Sequence, residues 1–301
     1  MEIQVVGHKN PDTDSVCSAI ALADLKTKLG VKAVPRVQGK LNNESKFVLK
    51  HFNVSEPEMY KKNGLVMLVD HTEKSQSVDN IEDVEIITIV DHHKLGDVTT
   101  DKPLEMWVQP VGCTCTIIKK MYDYNSIKIE KNIAGLMLSA ILSDTVIFKS
   151  ATTTEEDKKA ANELAKIAGV KDVKAFGMEM FKVKSDFKNA SVEDLVFKDY
   201  KDFNMNGKKV GVGQLEVIDI TLLEDKKQEL YEKLKEVKKD KHTVMLMLTD
   251  IMKEGTELLV VTDDSSIIKK AFGKELKGES VWLEGVMSRK KQIIPYLEKA
   301  L

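Results

Sequence analysis

Three short apolar runs, each ending in acidic or imidazole residues, constrain this chain more than any other feature. Ile3–Val6 leads into Gly7-His8-Lys9-Asn10-Pro11-Asp12-Thr13-Asp14-Ser15, Leu65–Val69 ends in Asp70, and the run 86–90 ends in Asp91-His92-His93. Continuous apolar runs of this length suit strands covered on both faces, as in a parallel sheet. The polar residues then stand at the carboxyl ends of the strands, where open α/β sheets bind ligands. After Ser15 the pattern turns helical through Leu29, so the chain opens as strand, stiff polar turn and helix. The spacing of His8, Asp12 and Asp14 lets all three converge on a divalent cation. Taken alone, the same residues read equally well as a turn and a helix cap. The recurrence of such groups at three strand ends favours a site.

A chain of 301 residues can bury a sizeable core and is expected to hold two domains. Its net charge of -2 gives no global field for nucleic acid or membrane, so attraction for an anion must be local. Cys17, Cys113 and Cys115 have neither zinc-ribbon nor disulfide-framework spacing, which suits a reducing, cytoplasmic setting. They read as small packing residues. No apolar run approaches membrane-spanning length, and the opening run is too short for a signal peptide.

The remaining pattern predicts strands at 33–37, 195–197, 210–220, 243–248 and 258–261. Helices are expected at 42–51, 117–124, 131–142, 172–185, 222–238 and 265–272. Gly112-Cys113-Thr114-Cys115-Thr116 is a small-residue turn that would admit close backbone approach. Thr154 with Asp157 is a capping-box variant, and Asn206-Gly207 a hairpin signal. The pattern weakens near 187, which places a first domain at 1–187, a linker at 188–193 and a second domain at 194–301. The expected class is α/β: an N-terminal domain with a mainly parallel sheet flanked by helices, then a smaller C-terminal α/β domain. The active site is expected in the cleft between them.

The chemistry-bearing candidates are His8, Asp12, Asp14, Asp70, His92, His93 and Asp144. Four carboxylates packed together repel and raise one another's pKa, and two divalent cations carry the matching charge. Imidazole ligands tilt selection from Mg2+ toward Mn2+, Co2+ or Zn2+. His51 and His242 lack acidic company and are left out, His71 reads either as support behind the ligands or as a loop neighbour of Asp70, and Asp91 reads as orienting an imidazole or the turn itself rather than binding metal. Near the C-terminus, Ser288-Arg289-Lys290-Lys291-Gln292 offers a planar fork and point charges for phosphate oxygens.

Together with Val69-Asp70-His71 and Ser143-Asp144-Thr145, these motifs resemble, in order and over essentially the whole chain, the family II (manganese-type) inorganic pyrophosphatases of the DHH phosphoesterase superfamily. The resemblance implies hydrolysis of pyrophosphate to two phosphates by a metal-bridging hydroxide. It implies one Mn2+ on His8, Asp12 and Asp70, and a second on Asp14, Asp70, His92 and Asp144, with Co2+ as an alternative metal and an additional Mg2+ arriving with substrate. His93, Arg289 and Lys290 would bind substrate, with Lys201 the best match for a further lysine and Lys198 its rival. A homodimer through the first domain is implied as well. One departure stands out: the family usually has Asn where this chain has Thr72, in Asp70-His71-Thr72-Glu73. The compact spacing from Asp70 to Asp144 leaves no room for a regulatory nucleotide-binding insert. The runner-up readings are an exopolyphosphatase of the same superfamily and an inactive metal- or nucleotide-sensing protein. A nuclease is disfavoured because the second domain lacks an evident basic, aromatic-rich surface.

Overall fold

A computed structural model describes residues 2–62, 64–184 and 190–301. The chain divides into two compact units, Met1–Val183 and Lys184–Leu301. The expected domain end at 187, the start of the expected linker at 188–189 and the last residue of the expected helix, 185, lie outside the described residues. Among the described residues no helix is long and apolar enough to cross a membrane.

The first unit is built on a six-stranded sheet. Its strands are β1 (Ile3–Val6), β2 (Ala33–Val37), β3 (Glu58–Met59), β4 (Leu65–Val69), β5 (Glu85–Asp91) and β6 (Glu105–Val108). They lie in the order β3-β2-β1-β4-β5-β6, and every pair is parallel. The chain therefore builds outward from β1 to one edge, then crosses back to β4 on the other side. The carboxyl ends of β1 and β4 flank the point where strand order reverses, which leaves a crevice there. Helices α1 (Thr13–Lys28) and α3 (Thr114–Tyr124) lie on the sheet, α2 (Asn43–His51), α4 (Lys131–Asp144) and α5 (Glu155–Ala168) pack on them and on one another, and α6 (Val173–Lys184) follows. Helix α4 is apolar almost all round, and from Ile133 to Ser143 every residue is buried, as such a composition requires.

Two features at helix ends bear on the site. Asp157 closes the capping box of α5 with Thr154, and also accepts from Gly112 N at 2.8 Å and Thr116 Oγ1 at 2.6 Å. It thereby ties the start of α5 to the start of α3. After Asp144, the last residue of α4, the chain passes through Val146, Ile147 and Phe148 with φ of 50°, 51° and 65°. This is a left-handed turn in which Val146 and Ile147 are buried.

The second unit carries a five-stranded sheet, β7 (Tyr200–Met205), β8 (Lys208–Val217), β9 (Thr243–Asp250), β10 (Gly255–Thr262) and β11 (Ser280–Glu284), in the order β11-β10-β9-β8-β7. Only β8 and β9 pair in parallel, joined through a 3-10 helix, Ile220–Lys226, and α8 (Lys227–Lys238). The hairpin between β7 and β8 turns on Asn206 and Gly207, both with positive φ, as a tight two-residue turn needs. Strand β9 is buried along its whole length. Its Met245 and Met247 pack with α9 (Ser266–Phe272) and α10 (Ile294–Ala300), and its Val244, Leu246 and Leu248 with α8. Both faces of this sheet are thus covered.

The expected strand at 195–197 is instead the end of α7 (Val192–Phe197), so the last residues of the expected linker are helical too. Ser191 caps this helix by accepting from Asp194 N, and Leu195 and Val196 turn onto the α8 side of the sheet. A local cap outweighed a short β-prone run. Strand β8 stops at Val217 rather than 220, and the helix expected from 222 begins as a 3-10 turn.

Candidate metal centre

The site grows from three strand ends. At the end of β1, a Cβ on Gly7 would fall 1.8 Å from Ser15 Oγ, so only glycine lets α1 start this close to the strand. Asp12 caps α1 by accepting from Ser15 N at 2.9 Å. His8 has Nδ1 2.7 Å from Lys9 O, while Nε2 lies 3.5 Å from Asp12 Oδ2 and 3.3 Å from Asp70 Oδ2. Asp70 follows β4 directly, with a left-handed φ of 64°. Its other oxygen, Oδ1, is 3.4 Å from His92 Nε2 and accepts from Thr114 Oγ1 at 3.2 Å. At the end of β5, His92 Nδ1 is 3.0 Å from Val111 O, and Nε2 is 3.7 Å from Asp144 Oδ2.

These contacts make two groups that share Asp70. His8, Asp12 and Asp70 offer ligand atoms within 4.8 Å of one another, as do Asp14, Asp70, His92 and Asp144. Each carboxylate oxygen of Asp70 faces one group. His8 and His92 both turn Nδ1 to a backbone carbonyl, so Nε2, the nitrogen facing the carboxylates, is the one that a cation would take in exchange for a proton. That donor set of imidazole nitrogen and carboxylate oxygen suits Mn2+ and its neighbours in the first transition row. The fit is chemical as well as spatial.

The electrostatics point the same way. Burial, then the charges of Asp70 and Asp12, push Asp14 up to about 6 from 3.8. Burial and then Asp14, Asp12 and Asp70 raise Asp144 well above the ordinary range. Burial works against a charged His8, but Asp12 and Asp70 prevail and raise it well above an ordinary imidazole. The folded chain thus holds protons on the coupled Asp14–Asp144 pair more tightly than the unfolded chain does, a contribution to stability that is full at acidic pH and is lost as pH rises through the raised values of the pair. Divalent cations can replace such protons and relieve the repulsion at neutral pH.

Asp14 is held at the start of α3, where Thr114 N donates at 2.7 Å and Cys115 N at 3.3 Å, with Ser18 Oγ at 2.8 Å. A helix N-terminus favours that negative charge. The backbone approach expected of the 112–116 turn therefore serves Asp14. Thr114 also donates to Asp70, a role that its position at a helix start does not signal in sequence. Cys113 and Cys115 lie beside Asp14, fully buried and unbridged, and burial pushes both thiols up. Asp91 orients the paired histidines: its Oδ1 accepts from His92 N at 2.8 Å and His93 N at 3.1 Å, and lies 2.9 Å from His93 Nδ1. His71 stands outside both groups. It is buried, with Nδ1 2.9 Å from Val69 O, and burial lowers it to about 4. His51 packs among the rings of Phe47, Phe52 and Phe176.

The cationic candidates belong to the second unit. Arg289 and Lys290 open a π-helical turn, Arg289–Ile293, just before α10. Arg289 Nη1 donates to Asp199 O at 2.6 Å and to Val212 O at 3.1 Å, and Nη2 donates to Asp199 Oδ1 at 2.6 Å. Val212 is the cross-strand partner of Lys201, so Lys201 stands at the same corner of the sheet as Arg289. Lys198 Nζ instead donates to Lys184 O at 2.9 Å.

Residues 2–141 match the DHH family, N-terminal domain, and residues 178–300 match the DHHA2 domain. A probable manganese-dependent inorganic pyrophosphatase of Archaeoglobus fulgidus is 54% identical over 99% of this chain and 98% of its own. A manganese-dependent inorganic pyrophosphatase of Bacillus subtilis is 42% identical over 100% of this chain and 99% of its own. Among solved structures, a putative family II inorganic pyrophosphatase of Methanococcus jannaschii superposes with a TM-score of 0.86 at 46% identity, covering 99% of both chains.

Proposed function

The chain belongs to the manganese-dependent, family II inorganic pyrophosphatases, and from that membership we propose that it hydrolyses pyrophosphate to two phosphates at the Asp70-centred site. The observation that carries the reading is the pair of ligand groups joined by one carboxylate. In this reading His8, Asp12 and Asp70 hold one Mn2+, and Asp14, Asp70, His92 and Asp144 hold the other. Bound Mn2+ supplies positive charge to the phosphoryl group and lowers the pKa of the attacking water.

The chain's own residues do the rest. The Asp91 carboxylate holds His93 by Nδ1, which leaves Nε2 as the nitrogen that meets a phosphate oxygen. Arg289, Lys290 and Lys201 bind the anion and offset charge developing on it. Lys201 is favoured over Lys198 because it shares the Arg289 corner. A Mg2+ accompanying the substrate, a homodimer through the first unit and a cytoplasmic setting complete the proposal. The three unbridged thiols support a reducing compartment.

The test is phosphate release after chelator treatment and restoration with Mn2+, Co2+, Zn2+ or Mg2+ in turn. Mn2+ is expected to restore rapid hydrolysis of pyrophosphate, with Co2+ also active. Rapid release from long polyphosphate and little from pyrophosphate would overturn the substrate assignment. Arg289→Ala is expected to raise KM for pyrophosphate roughly ten- to a hundredfold, the scale of one charge-assisted hydrogen-bonding partner. Its Mn2+ affinity should match the parent chain. A large loss of Mn2+ binding in a direct titration would place Arg289 in another role.

A further inference from the structure

Behind the ligand groups lies a further acidic residue that belongs to neither of them. Glu44 sits in the first turn of α2 and is 1% exposed. Its Oε2 accepts from Thr13 Oγ1 at 2.7 Å and from Ser143 Oγ at 2.8 Å. Thr13 is fully buried and lies between Asp12 and Asp14, while Ser143 is 4% exposed and immediately precedes Asp144. One oxygen thus joins two chain segments 130 residues apart in sequence, and each carries proposed cation ligands (143 minus 13). The N-terminus of α2, capped by Asn42 accepting from Ser45 N at 2.7 Å, favours a negative charge at this position.

We propose that Glu44 is a positioning residue of the cation site, fixing the Asp12–Asp14 turn against the Asp144 end of α4 and adding its charge to the field that attracts the cations. Both hydroxyls donate to the same oxygen, so neither segment can shift without breaking a buried hydrogen bond to a carboxylate. Such a bond is among the stronger kind. Groups that orient ligands from behind commonly alter metal affinity by about ten- to a hundredfold when replaced. The charge acts separately from the geometry. Cys17, one turn into α1, is pushed up by burial, then by Cys115, Asp14, Glu44 and Asp12, so Glu44 and two proposed ligands act on one thiol. An amide in place of Glu44 keeps an oxygen for the two hydroxyls but removes the charge.

This inference rests on the reading of the site as a cation centre. It is tested on the full chain by titrating metal-free protein with Mn2+, following free Mn2+ by its electron paramagnetic resonance signal, beside the Tm of the metal-free protein. The parent chain must bind Mn2+ tightly; if it does not, the cation reading itself fails. Given that binding, Glu44→Gln is expected to weaken Mn2+ affinity about tenfold or more. Ser143→Ala, which cuts one tether and keeps the charge, should weaken it severalfold, less than Glu44→Gln. Affinity within twofold of the parent in Glu44→Gln, with only Tm lowered, would reduce Glu44 to a structural role and overturn the proposal. Should Glu44→Gln fail to fold, Ser143→Ala decides alone: unchanged Mn2+ affinity overturns the proposal, and a severalfold loss supports it.

Discussion

Asp70→Asn is expected to lower Mn2+-dependent pyrophosphate turnover about a thousandfold or more, with the fold intact. Asp70 is the one carboxylate common to both ligand groups, and each of its oxygens faces a different one. Removing its charge weakens both cation positions together and turns one oxygen into an amide nitrogen that repels cations. A thousandfold corresponds to about 4 kcal/mol of barrier. The backbone is not a confounder. Asn tolerates a left-handed φ as readily as Asp, so the 64° torsion at this position stays unstrained relative to the parent. The measurement is kcat at saturating Mn2+, beside a far-ultraviolet circular dichroism spectrum. Turnover within tenfold of the parent would remove Asp70 from the centre of the site.

Asp157→Ala is expected to destabilise the first unit by about 3–5 kcal/mol, read from the midpoint of urea unfolding. Asp157 is fully buried and collects donors from Gly112 N, Thr116 Oγ1, Thr154 N and Thr154 Oγ1. Alanine leaves these donors buried without partners and opens a void. Asp157→Asn should fall between, because its amide nitrogen must face donors on at least one side. The damage should spread to cation binding, since the 112–116 turn that Asp157 anchors also presents Thr114 N and Cys115 N to Asp14. A loss of stability under about 1 kcal/mol in Asp157→Ala would show that water replaces the carboxylate at little cost.

What could be read from the chain alone follows from how local each signal is. Strands β4 and β5 are continuous apolar runs buried on both faces, and their pattern survives without knowledge of neighbours. The edge strand β6, with Glu105 and Met106 exposed, carries no such pattern and cannot be read from the chain alone. The run Leu195-Val196-Phe197 looks like a strand until Ser191 and Asp194 are seen to cap a helix across it. The same holds at the site. His8, Asp12, Asp70 and His92 stand at strand ends, where the fold class itself predicts ligands, so they were legible. Thr114 matters only through partners 44 and 100 residues away, and Glu44 through partners 31 and 99 residues away, and no spacing announces them. Asp157 was legible as half of a capping box, but its hold on Gly112 and Thr116 was not.

The left-handed turn after α4 sets a limit on how Asp144 can respond to ions. Left-handed geometry costs roughly 1–2 kcal/mol per residue for side chains such as Val146 and Ile147, offset here by their burial. Thr145 is the last right-handed residue, and a right-handed helix cannot continue past it into such a turn, so the end of α4 that carries Asp144 is fixed in place. The carboxylate is delivered at a set depth, like a key cut to one length. From that fixed end the carboxylate of Asp144 is re-aimed only by rotation about its own side-chain bonds, while the rod that carries it stays still.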